Sequence, residues 1–381
     1  MILTNARLIF RDGIREGLEV AEINGKIAHI RSATSAADAL DLGGNYLAPG
    51  FIDLHVHGAM GRDTMEALEE AFREICGYHA SGGTTSLLLT TTTAPLPQIV
   101  ATLARLRAST SAVPQIAGAH VEGPFISRQR PGAQRKEFIC DPDRPSLDSL
   151  LEFGDVIKRV TLAPELPGAL EAVDRFRAQK IAVSGGHSEA WDEEARAGFD
   201  HGMCHVTHTF NCMSSARRRG AERVAGLLEF ALSEPEIACE LIADGHHVSP
   251  TLMKMLYRAK GAEGICLVTD ATPGAGLATN SRFQLGGADC VVAEGACWLA
   301  DRSALAGSAA RMIDLVRNMV EMVGLPLHEA IAMASANPAR ALESKTKGVL
   351  EVGADADFVV LSPKLELLKT FVGGRQIFPA S

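Results

Sequence analysis

The chain carries no excess of positive charge, no closely spaced cysteine pair and no long apolar run, and each absence removes a class of function. Its 37 Lys and Arg stand against 46 Asp and Glu, a formal net charge of −9, whereas nucleic-acid binders usually leave a basic footprint. No window reaches the roughly 18 consecutive apolar residues of a membrane span, so no contact with a bilayer is expected. Residues 1–10 hold Arg7 inside their apolar run and lack a small-residue cleavage site, so they do not read as a signal peptide. The eight cysteines (76, 140, 204, 212, 239, 266, 290 and 297) form no C-x-x-C motif. They read as buried thiols of a cytoplasmic protein rather than as a disulfide framework or a zinc ribbon. No G-x-G-x-x-G follows the first buried strand of the middle region, which argues against a doubly wound dinucleotide fold. There is no internal repeat and no low-complexity segment.

What remains is 381 residues, 46% hydrophobic, long enough to bury about three quarters of the unfolded surface without staples. Both ends are β-rich. Ile2–Phe10, Leu18–Ile23 and Lys26–Ser32 are separated by Asp12-Gly13 and Asn24-Gly25, and Asn-Gly between such runs signals a hairpin. Asp357–Ser362 and Thr370–Val372 repeat the pattern before Gly373-Gly374. The ends therefore predict a small β domain from residues 1–48 and 340–381. In the middle, eight short apolar runs begin at Phe51, Thr85, Ile116, Val160, Ile181, His205, Ile237 and Ile265. Helical patterns lie between several of them, at Met65–Ala80, Leu96–Ala108, Ala169–Gln179, Asp192–Ala197 and Pro250–Ala259. Eight buried strands alternating with helices predict an α/β fold, a (β/α)₈ TIM-like barrel over residues 49–339.

Barrel enzymes gather their chemistry at the C-terminal ends of the strands. Those ends carry His55-Val56-His57, His120-Val121-Glu122-Gly123-Pro124, Gly186-His187, His205 with His208, Asp244 with His246-His247, and Asp270. His55 and His57 lie two apart, so on a strand both rings point the same way, into the mouth. Imidazoles with carboxylates suit Zn²⁺ or a similar divalent ion. The pair alone reads more readily as two satisfied polar residues than as ligands.

The wider context narrows the choice. Gly50-Phe51-Ile52-Asp53-Leu54-His55-Val56-His57-Gly58 resembles the first-strand signature of the amidohydrolase superfamily of metal-dependent hydrolases, which implies that the domain built from the two ends is a β-sandwich. His120 to Phe125, Thr161 to Glu165, Gly186-His187-Ser188, Thr207 to Asn211, Ala243 to His247 and Val268 to Thr272 follow in order. With Leu305-Ala306-Gly307-Ser308 and Asn337-Pro338-Ala339-Arg340, they resemble the N-acetylglucosamine-6-phosphate deacetylase family over essentially the whole chain. The resemblance implies Glu122, His187 and His208 as principal metal ligands and Asp270 as the catalytic carboxylate. It implies His55 and His57 as ligands of a second ion with Glu122 bridging, so one or two divalent ions per subunit, Zn²⁺ foremost. It further implies Asn211, His247, Arg219, Ala306 and Gly307 at the substrate. Arg219 would reach across from a neighbouring subunit, hence a homodimer. Asp53 is read as structural, and His120 and His205 as packing or supporting residues.

Two departures stand out. Where the family carries Gly-x-His this chain has Gly132-Ala133-Gln134, and Gln134 can donate to an acyl oxygen without carrying charge. After Arg219 the chain has Gly220-Ala221-Glu222-Arg223 in place of Glu-Pro-Gly, which leaves Arg218 and Arg223 as alternatives. The expected activity is removal of the N-acetyl group from N-acetylglucosamine 6-phosphate, giving glucosamine 6-phosphate and acetate. The rivals are N-acetylgalactosamine 6-phosphate or an unphosphorylated N-acyl amine as substrate, a deaminase, and a barrel without activity.

Overall fold

The computed structural model describes residues 1–34 and 38–380. Eight parallel strands form its centre: β1 (Phe51–Val56), β2 (Thr84–Thr91), β3 (Ile116–Glu122), β4 (Ile157–Leu162), β5 (Ala182–Gly185), β6 (His205–Val206), β7 (Ala238–Leu241) and β8 (Ile265–Leu267). Each pairs with the next in sequence. The circle closes where Val56 bridges Ala271, with the Asp270 amide donating to the His55 carbonyl at 2.9 Å and the His57 amide to that of Ala271 at 2.8 Å. Closure removes the unpaired edges an open sheet would present. β1 and β2 are buried along their whole lengths, as strands covered on both faces must be.

A helix follows every strand: α1 (Glu69–Ala80), α2 (Leu96–Ser109), α3 (Arg144–Leu151), α4 (Ala169–Ala178), α5 (Asp192–Asp200), α6 (Leu227–Ser233), α7 (Pro250–Lys260) and α8 (Met312–Asn318). α1 begins at Glu69 rather than Met65. Asp63 accepts from the Met65 amide at 2.8 Å while Glu66 Oε1 accepts from the Asp63 amide at 2.8 Å, closing a separate turn before the helix. Three of these eight helices lie outside the sequence patterns, as do Leu327–Ala334 and Ala336–Ala341 further on. α3 and α6 are short, and α8 is separated from β8 by a three-stranded antiparallel sheet (Arg282–Leu285, Ala288–Ala293, Ala296–Leu299). Ile52, Leu54, Leu88, Ile242, Cys266 and Val268 fill the barrel floor against Ala339 of a terminal helix (Ala336–Ala341).

The two chain ends build a second sheet, mostly antiparallel, with strands drawn from residues 2–49 and 358–378. It curls around Leu3, Leu8, Val20, Ile27, Leu47, Phe358, Val360 and Phe371. Asn24 and Gly25 both have positive φ, 52° and 79°, as a tight two-residue hairpin turn demands. Among the described residues no helix is long and apolar enough to cross a membrane.

Candidate metal centre and active site

The barrel brings the widely separated strand-end residues into one cluster. His55 is in β1 with His57 just beyond it, Glu122 ends β3, and His187, His208 and Asp270 follow β5, β6 and β8 by two or three residues. All are buried. His187, His208 and Asp270 have φ of 48°, 31° and 48°, a left-handed conformation that L side chains adopt at a cost of roughly 1–3 kcal/mol each. The chain bends sharply there to turn each side chain over the barrel axis.

Two triads share one carboxylate. Glu122 Oε1 lies 3.2 Å from His187 Nε2 and 3.1 Å from His208 Nε2, which are themselves 3.1 Å apart. Glu122 Oε2 lies 3.1 Å from His57 Nε2, and His57 Nε2 is 3.2 Å from His55 Nε2. Asp270 Oδ1 stands 3.5 Å from His55 Nε2 and 3.4 Å from His57 Nε2.

This donor set fits divalent cations. Two imidazole nitrogens facing each other need a proton or a cation between them, and here two such pairs meet over one carboxylate. Ligands about 2.0–2.1 Å from a tetrahedral ion are roughly 3.4 Å apart, close to the spacings seen. His187 Nδ1 is 2.8 Å from the Arg130 carbonyl, to which it donates, leaving the Nε2 lone pair free to ligate. Electrostatics make the same demand. Burial alone would favour neutral His55, but the charges of Glu122 and Asp270 and hydrogen bonding to Glu122 and Glu240 hold its pKa well above the usual value. His57 is pushed up to about 9, burial being outweighed by hydrogen bonds to Asp270 and Glu122 and by their charges. Burial would likewise raise Glu122, yet His55 and His187 hold it well below the carboxylate range. The cluster draws in positive charge, which protons or metal ions can supply.

Further residues brace the cluster. The Glu240 carboxylate lies 3.4 Å from His55 Nδ1 and accepts from the His208 amide at 3.2 Å. Its other oxygen is 3.0 Å from Arg159 Nη2, an ion pair out of hydrogen-bond alignment, since neither Glu240 Oε1 nor Arg159 Nε has a hydrogen-bond partner. Sequence reasoning passed over both. The available signal was a Glu in the otherwise apolar run Ala238–Leu241 and an Arg between Lys158 and the apolar Val160 of β4. His120 supports rather than ligates: its ring is 4.6 Å from that of His55, with Nε2 2.8 Å from Thr161 Oγ1. His205, beside the Cys204 thiol at 3.0 Å, is likewise outside the two triads. Asp53 ties β1 to β8, accepting from Thr269 Oγ1 at 2.6 Å and from the His55 amide at 3.2 Å.

Gln134 reaches the cluster from the loop after β3. Its Nε2 donates to Glu122 Oε2 at 2.7 Å, and its Oε1 accepts from the Thr93 amide at 2.7 Å. Ala306 and Gly307 lie against the Asp270 segment, where the Ser308 amide donates to the Asp270 carbonyl at 2.8 Å. A Cβ on Gly307 would stand 2.4 Å from Thr272 Cγ2 and 2.5 Å from the Asp270 carbonyl oxygen, so only glycine lets the chain pass. His247 is half-buried, its side chain 5% exposed, with Nδ1 2.7 Å from Asp244 Oδ2. Burial opposes its charge, but this hydrogen bond and the carboxylates of Asp244 and Asp270 raise its pKa. Asn211 is half-buried, its amide directed at the His208 carbonyl at 3.2 Å. Arg219 is not brought to the cluster. It sits on a two-stranded hairpin (Arg217–Arg219, Glu222–Val224), stacks on Trp191 and pairs with Glu193 at 2.6 Å.

The model of the amidohydrolase family matches residues 46–377. An N-acetylglucosamine-6-phosphate deacetylase of Lysinibacillus sphaericus is 36% identical, over 98% of this chain and 97% of that protein. An N-acetylgalactosamine-6-phosphate deacetylase of Escherichia coli O157:H7 is 33% identical, over 98% of each. The crystal structure of the N-acetylglucosamine-6-phosphate deacetylase of Pasteurella multocida superposes with a TM-score of 0.93 at 30% identity, covering 98% of each chain. The chain belongs to the amidohydrolase family, and within it to the N-acetylglucosamine-6-phosphate deacetylases.

Proposed function

We propose that the protein hydrolyses the N-acetyl group of N-acetylglucosamine 6-phosphate, releasing acetate and glucosamine 6-phosphate. The observation that carries this reading is the pair of triads on Glu122 with Asp270 beside them, in a chain similar along its length to deacetylases of that name. Glu122, His187 and His208 would hold one divalent ion, zinc in this reading, and His55 and His57 with Glu122 a second. When bound, such an ion lowers the pKa of water and polarises a carbonyl.

The rest is done by the chain. Asp270 takes a proton from the attacking water and passes it to the departing nitrogen, because an amine anion is too basic to leave unprotonated. Gln134 spends one amide hydrogen on Glu122, and its second is free for the acyl oxygen. His247, held towards its charged form by Asp244, and Asn211 face the phosphate end, with Ala306 and Gly307 shaping the sugar subsite. Arg219 is engaged at the surface of its own chain. It supplies its guanidinium fork to the phosphate bound by a second copy, in a homodimer. Binding energy at the phosphate orients the acetyl group for attack.

The test is kcat/KM on N-acetylglucosamine 6-phosphate, its galactose epimer and unphosphorylated N-acetylglucosamine. Loss of the phosphate should lower kcat/KM at least about a hundredfold, since each charge-assisted hydrogen bond is worth roughly 1.5–3 kcal/mol. Equal turnover of the unphosphorylated sugar would overturn the phosphate assignment. The second reading, the galactose epimer, is favoured by the similarly related Escherichia coli protein; faster turnover of that epimer would replace the first.

A further inference from the structure

We infer that the buried Glu240–Arg159 pair is a positioning device for the His55–His57 ion, controlling whether a second metal binds; this rests on the two-ion reading above. Stability does not account for the pair. Glu240 and Arg159 are 0% and 2% exposed, and exchanging such a buried pair for apolar residues is often neutral or stabilising. What the pair touches accounts for it. One Glu240 oxygen faces His55 Nδ1 at 3.4 Å and accepts from the His208 amide at 3.2 Å, while the other faces Arg159 at 3.0 Å. A carboxylate on Nδ1 fixes the tautomer with the Nε2 lone pair turned to the metal and makes the imidazole a better donor.

The two triads are braced by different groups. His187 is oriented by the Arg130 carbonyl through Nδ1, and the His208 ligand is carried on a backbone that Glu240 holds. The Nδ1 of His208 and that of His57 have no partner, so each triad has one histidine braced through Nδ1, and in the second triad that brace is Glu240. Arg159 holds Glu240 in place: its Nη2 also bonds Ser184 Oγ at 3.2 Å, anchoring the guanidinium between β4 and β5. Removing Glu240 should therefore weaken the second ion selectively.

The experiment is zinc titration of the full-length protein, Glu240→Gln, and the double variant Arg159→Met with Glu240→Gln. Metal per chain is measured by mass spectrometry, and folding by circular dichroism. The double variant removes both charges, so it keeps the test decisive if a neutral amide beside an unpaired Arg159 unfolds the single variant. The expected result is two ions in the wild type. In a folded variant one tight ion remains, and the second binds about 10–100-fold more weakly. Unchanged second-ion affinity in the folded double variant would overturn the inference, as would loss of both ions together. A wild type that stops at one ion under excess zinc would instead overturn the two-ion reading, and the inference with it.

Discussion

The barrel holds two unlike clusters: histidines and carboxylates gathered at its mouth from β1, β3, β5, β6 and β8, and hydrocarbon supplied at its floor by β1, β2, β7 and β8. At the floor, Ile52, Leu54, Leu88, Ile242, Cys266 and Val268 interlock under Ala339. At the mouth, His55, His57, Glu122, His187, His208 and Asp270 are just as buried, yet they crowd polar atoms together and three of them hold left-handed backbone. One end contributes stability; the other stores strain and charge. The contrast extends to single histidines. His57, among carboxylates, is pushed up to about 9, whereas His79 on α1, buried against the Gly58 carbonyl with no charge to pair, is pulled down by burial to about 4. Burial by itself disfavours the imidazolium; neighbouring carboxylates reverse the sign.

The comparison can be broken at either end. The largest effect is expected from Glu122→Gln or His208→Ala, which should remove bound metal and activity together, since neither an amide nor a methyl replaces the lost ligand. Full metal occupancy with normal turnover in either variant would refute the division of labour. At the floor, Leu88→Ala should lower stability by about 2–5 kcal/mol through the cavity it leaves, with kcat and metal per chain unchanged. Calorimetry and metal analysis on one sample separate the two outcomes; a loss of metal would mean that floor and mouth are not independent.

A smaller effect concerns His79. Its pKa in the folded state is about 4 against a usual 6.5, so the unfolded chain binds more protons between those values. Its contribution is fully present above about pH 6.5 and is lost as pH falls through 4, roughly 3 kcal/mol in all. His79→Gln should therefore flatten the dependence of Tm on pH in that window. Identical slopes for variant and wild type would show that the ring is already charged or exposed.

The cluster could be read in the sequence because ligation needs particular residue types at strand ends. His-x-His on β1, Glu122 at the end of β3, and His187, His208 and Asp270 beyond β5, β6 and β8 each stand at a position the strand pattern marks. The buried-run pattern also located the barrel strands, and Asn24-Gly25 the first hairpin. Other features depend on tertiary contact. Glu240 and Arg159 meet across the barrel interior, 81 residues apart in sequence, and nothing local announces their pairing. Helix α3 rests on the Asp143 cap, which accepts from the Ser146 amide at 2.8 Å, more than on a long apolar stripe. The sheet between β8 and α8 is an excursion that eight-fold alternation does not foresee. The engagement of Gln134 with Glu122 depends on a loop folding back over the mouth, and the stacking of Arg219 on Trp191 on a hairpin the sequence marks only as a basic turn.

The most direct test of the account is kcat for acetate release from N-acetylglucosamine 6-phosphate by Asp270→Asn, with metal content determined on the same sample. Asparagine keeps the shape of the side chain but cannot take a proton. The account predicts a fall in kcat of roughly 10²–10⁴-fold while the ion held by Glu122, His187 and His208 remains. Near-normal turnover in the metal-loaded variant, or activity that returns when excess metal is added, would contradict it.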